Sequence, residues 1–115
     1  MEKTEFIKSE AFKVADVLEY ISDSVVIKSI INKTTGNVSA ISFDTGELLN
    51  CKISPFESFI QIIEGNAEVV IDDKSNLLEK GQSIIVPAHS RSTLKANVKF
   101  KMLSTLIKSG YEELS

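Results

Sequence analysis

Few side chains in this sequence can do covalent or metal chemistry. There is one histidine, His89, and one cysteine, Cys51. A lone imidazole can move a proton, but it cannot assemble a cluster of nitrogen ligands around a metal. His89 follows Pro87 and Ala88 at a turn position, where its simplest role is that of a loop residue. Cys51 has no partner for an internal disulfide, which fits a reducing compartment, and its simplest role is to pack as a small apolar group. A reactive thiol needs a cation facing it. Lys52 is adjacent in the chain, and strand geometry sends neighbouring side chains to opposite faces. Lys52 can anchor an anion or snorkel to the rim of the fold. Glu57 follows Phe56 in a loop and reads as solvated. Gln61 is opposite in parity to Ser58 and reads as outward-facing. No carboxylate pair has a spacing suited to acid–base catalysis. The sequence holds no Ser-His-Asp set, glycine-rich phosphate loop or metal-binding cysteine pair.

Composition narrows the function further. The chain has 115 residues, a net charge of −3, 43% apolar and 25% charged residues. That length fits one domain with one core. The lysines and arginines are scattered, so no basic footprint points to nucleic acid. No apolar run approaches the roughly 20 residues of a membrane span, and the charged start, MEKTEFIKSEAF, has no signal-peptide core. These features describe a soluble, cytoplasmic protein.

The elements that would position a site are short strands. One helix of about two turns is expected within 12–20, where Val14, Val17 and Leu18 repeat at i, i+3, i+4. Strands are expected over 24–33, 38–43, 47–53, 58–63 and 67–72, around Asn76-Leu77-Leu78, over 83–87 and over 98–107. They are separated by Thr34-Thr35-Gly36-Asn37, Asp44-Thr45-Gly46, Ser54-Pro55, Glu64-Gly65, Asp72-Asp73-Lys74-Ser75 and Lys80-Gly81. Many short strands broken by glycine and proline argue for a β-sandwich or barrel. Residues 1–22 form an arm with the helix, 23–108 the barrel, and 109–115 a polar tail.

The stretch from Gly46 to Ala96 resembles the cupin superfamily. Gly46 opens and Gly65 closes a stretch like the family's first motif, G-x5-H-x-H-x3/4-E-x6-G. Gly81 opens a stretch like its second motif, and Pro87 follows at the family's spacing. Phe43-Asp44-Thr45-Gly46, Ser54-Pro55-Phe56-Glu57, Pro87-Ala88, Leu94-Lys95-Ala96 and Phe100-Lys101-Met102-Leu103 resemble a subgroup of small single-domain cupins, as do Ala15-Asp16-Val17 and Tyr20. The resemblance implies an all-β fold: a double-stranded β-helix, or jelly-roll barrel, with one short N-terminal helix. At each glycine a tight turn would favour a residue free to take positive φ.

The family's metal ligands fall on Lys52, Ser54, Ser58 and Ser92. Hydroxyls and a lysine are poor ligands for first-row metals, which prefer imidazole, carboxylate or thiolate. Metal-dependent chemistry therefore does not carry over, and no metal or cofactor is expected. What the resemblance does imply is that Lys52 and Ser54 face the barrel mouth. One cation ringed by three hydroxyls can bind a carboxylate or phosphate; the simpler reading is a filled interior. The favoured function is a non-catalytic domain that binds a small molecule or serves as a structural or regulatory module. The alternatives are a metal-independent isomerase or lyase using Lys52 or His89, and a metalloenzyme with ligands elsewhere. Phe59 and Ile63 make the second face of their strand apolar, so that face needs cover. Since cupins commonly dimerise, a homodimer through Phe59 and Ile63 is expected, with cover by the N-terminal helix as the other possibility.

Overall fold

The computed structural model describes residues 6–108; the tail expected at 109–115 lies outside them. Nine strands follow one another: β1 (Val25–Lys33), β2 (Gly36–Phe43), β3 (Leu48–Cys51), β4 (Glu57–Glu64), β5 (Asn66–Ile71), β6 (Lys74–Glu79), β7 (Ser83–Val86), β8 (Ser92–Lys95) and β9 (Phe100–Ile107). They form a five-stranded sheet in the order β1-β2-β9-β4-β7 and a four-stranded sheet in the order β3-β8-β5-β6. Every recorded pairing is antiparallel. The sheets face each other across an apolar core, so each strand contributes alternate residues to the interior. Phe43 and Phe100 are register partners on β2 and β9, and their rings stack with centroids 4.4 Å apart. Ile62, Val69 and Met102 are also fully enclosed.

The strand reading from sequence agrees with this architecture, with β8 as an addition. Four residues is too short for alternation to be recognised, and β8 is fixed instead by pairing with β3 on one side and β5 on the other. Gly46, Gly65 and Gly81 have φ of 90°, 75° and 88°, the left-handed region expected for them. At Gly65 a Cβ would also run into the carbonyl oxygen of Lys99, so both conformation and space demand glycine.

The expected two-turn helix is a single 3-10 turn, Val14–Val17. Leu18 after it is already extended, with ψ of 149°. The carbonyls a longer helix would need are taken by side chains of the sheet. Lys101 Nζ donates to Ala15 O (2.6 Å), Lys28 Nζ to Val17 O (2.8 Å) and Ser42 Oγ to Glu19 O (3.0 Å). Tyr20 Oη donates to Glu64 Oε2 at 2.8 Å. Burial, then that hydrogen bond and the Glu64 charge, push the Tyr20 phenol well above its usual range. Lys99 and Lys101 lie over its ring at 4.7 and 5.0 Å, where the ring's negative face attracts them. The arm is thus laid across one end of the five-stranded sheet's outer face, and Leu18 is buried there.

Candidate functional site

Between the sheets is a cavity of about 220 Å³ whose wall includes Lys52, Ser54, Ser58 and Ser92. Strand register explains why they meet. Ser58 stands near the start of β4, paired with Val86 on β7 and Leu106 on β9. Ser92 opens β8 opposite Cys51 at the end of β3, and residues paired across a ladder share a face. Ser54 lies in the loop between β3 and β4. Its hydroxyl accepts the Phe56 amide at 3.0 Å, and its carbonyl accepts the His89 amide at 2.6 Å. The loop after β3 is thereby tied to the loop after β7, and the two form the rim.

Lys52 is exposed at that rim. The opposite-face reading of Cys51 and Lys52 does not apply, because β3 ends at Cys51 and alternation ends with it. Both residues line the cavity, Cys51 as the last inward residue of the strand and Lys52 as the first residue beyond it. Cys51 also packs against the core, in keeping with its apolar role.

Polarity and depth are graded along the cavity. Its floor contains the buried side chains of Ile41, Ile60, Leu94 and Met102. Ser90 and Ser104 line it as well. Ser90 Oγ donates to Pro87 O at 2.6 Å. Among the described residues, the hydroxyls of Ser58, Ser92 and Ser104 form no hydrogen bond, although Ser92 is only 6% exposed. Lys52 is the only charged residue of the wall and makes no ion pair among the described residues. No side-chain nitrogen or oxygen among the described residues is both buried and without a partner, so these hydroxyls open onto the cavity and are available to whatever occupies it. His89 is not part of the wall; its amide serves the rim, and it takes a left-handed φ of 63°.

Solved structures of the same shape are plentiful. A conserved protein of unknown function from Streptococcus pyogenes superposes with a TM-score of 0.86 at 21% identity, covering 93% of this chain and 94% of that one. A cupin superfamily protein from Desulfitobacterium hafniense DCB-2 gives 0.84 at 20% identity over 93% and 98% of the two chains. A cupin 2 conserved barrel domain protein from Leptotrichia buccalis gives 0.81 at 28% identity, covering 84% of this chain and 47% of that one. The chain is a cupin by fold. No family model and no curated protein matches its sequence.

A metal in the usual cupin position would find hydroxyls and one amine at the four aligned residues. Among the described residues, no three His, Cys, Asp or Glu side chains come together. This donor set does not fit a first-row transition metal. Three polar wall residues escaped the motif count: Ser90, Ser104 and Asn37. Ser104 carries a readable signal, since it continues the alternation of Phe100 and Met102. Asn37 reads as part of a turn in the sequence, but the turn is only Thr34-Thr35 and Asn37 already lies in β2.

Proposed function

We propose that this cupin is a non-catalytic barrel without a metal site that holds a small anionic molecule. The observation that carries this reading is a cavity whose only charged residue is Lys52, with the hydroxyl of Ser92, free of protein partners among the described residues and open to the cavity, on the same wall. No carboxylate on the wall repels an anion, and Ser58 adds a further donor. Chemistry that needs a titrating pair has little support, because His89 brings only its backbone to the rim.

Two measurements test the reading. Elemental analysis of protein purified without added metal should find less than stoichiometric transition metal; one tightly held ion per chain would sink the metal-free reading. A panel of small carboxylates and phosphates should raise the melting temperature of the wild type, and Lys52→Met should abolish that response. An equal response from the variant removes Lys52 as the anchor.

The proposed setting is the cytoplasm, with a second copy of the chain as partner. Among the described residues no helix is long and apolar enough to cross a membrane. On the outer face of the five-stranded sheet, Ile85, Phe59, Thr105, Val38 and Ile31 stand in register across all five strands. Phe59 is 41% exposed and Ile85 58%. Ile63, half-buried, occupies the β4 bulge beside this face. The arm's later part covers the other end of the face, while Phe6, Ile7 and Phe12 border Ile31 and leave Phe59 and Ile85 exposed.

A further inference from the structure

Taking the barrel as a ligand site, we infer that its occupant is a short monocarboxylate carrying a second oxygen near the far end of its chain, with the carboxylate at the rim. Size sets the first limit. A volume of about 220 Å³ equals about seven water molecules at roughly 30 Å³ each, so a chain of about four to six carbons is accommodated.

Charge sets the second. Lys52 at the mouth offers a single positive charge, with the hydroxyls of Ser58 and Ser92 on either sheet. This matches one carboxylate. A dianionic phosphate would carry a second charge into a wall that offers no second cation, where desolvation opposes it. The floor sets the third limit: Ile41, Ile60 and Met102 favour methylene groups, which a bare inorganic anion lacks.

The second oxygen follows from Ser104. It pairs with Ile60, whereas Ser58 pairs with Leu106. Ser104 is therefore one inward-facing position deeper than Ser58, about 7 Å along the strand direction. Its hydroxyl has no partner among the described residues. A ligand hydroxyl or carbonyl oxygen at that depth would pair with it while the carboxylate remains beside Lys52.

Calorimetry with 5-hydroxypentanoate, pentanoate, pentane-1,5-diol and decanoate tests the assignment. Cys51, the sole cysteine and a wall residue, reports the location through protection from iodoacetamide. The hydroxy acid should bind about tenfold more tightly than either pentanoate or the diol, and decanoate should not bind. Ser104→Ala should erase the difference between hydroxy acid and pentanoate. Lys52→Met should erase that between hydroxy acid and diol. Equal affinity of hydroxy acid and pentanoate for the wild type overturns the second oxygen contact, and equal affinity of hydroxy acid and diol overturns the carboxylate. In both cases protection of Cys51 by the diol leaves the barrel standing as a ligand site. If no probe gives heat or protects Cys51 at millimolar concentration, the ligand-site reading falls together with the inference.

Discussion

Two buried serines show how differently the same side chain can be employed. Ser42 is 1% exposed and donates to Glu19 O, tying the arm to β2. Ser92 is nearly as buried and meets only the cavity. Replacing Ser42 with alanine leaves the Glu19 carbonyl without its donor and should lower unfolding stability by about 1–2 kcal/mol. Ser92→Ala removes no protein contact and should change stability by less than about 0.5 kcal/mol. Urea denaturation of both variants checks the contrast. Tyr20 is a second residue-scale case. Its folded pKa is raised, so the fold favours the neutral phenol. That contribution is complete below the ordinary tyrosine pKa of about 10 and is lost as pH rises above it. Tyr20→Phe should flatten the fall in stability on the alkaline side and remove the late phase from the ultraviolet titration. Which residues face inward was partly legible from parity. Alternation gives correct faces for Ser58 and Gln61, which lie within a regular strand, and misleads at Cys51 and Lys52, where a strand stops between the two.

At the level of elements, the glycines separate two causes of turn preference. Gly46 has φ of 90° with open space where a Cβ would go, whereas Gly65 has φ of 75° and the Lys99 carbonyl in that space. Gly46→Ala should cost about 1–2 kcal/mol, the price of left-handed backbone alone. Gly65→Ala adds a steric clash and should cost about 3 kcal/mol or more. A chemical denaturation series that gave both variants the same loss would disprove the distinction. The turns at all three motif glycines were legible because turn conformation is decided locally. β8 was not, because its four residues become a strand only through the neighbours on either side. The 3-10 turn escaped for a related reason: an i, i+3, i+4 pattern is satisfied by one turn as well as by two, and the carbonyl acceptors that end it are claimed by Lys28, Ser42 and Lys101, far along the chain.

Across the whole molecule, the registered row from Ile85 to Ile31 predicts association. The wild type should elute as a dimer at micromolar concentration, and Phe59→Glu combined with Ile85→Glu should give a monomer with an unchanged far-ultraviolet circular dichroism spectrum. A monomeric wild type would show that this row stays open to water. The barrel as a whole was legible because many short strands, glycine turns and the motif frame agree on one architecture. The full cavity wall was not, because its residues come from six different strands and two loops, and their joint geometry exists only after folding. The position of β9 has a further consequence, for the order in which the protein is made. The final strand lies between β2 and β4 in the middle of its sheet. A nascent chain that has emerged only as far as Lys99 would therefore hold two unpaired edges facing a vacant lane, and the core residues Phe100 and Met102 would still be missing. Closure must wait until Phe100–Ile107 has cleared the ribosome, so the barrel is expected to form all-or-none. Arrested chains ending at Lys99 should be digested by protease as readily as an unfolded chain, while chains extended by a linker beyond Lys108 should resist.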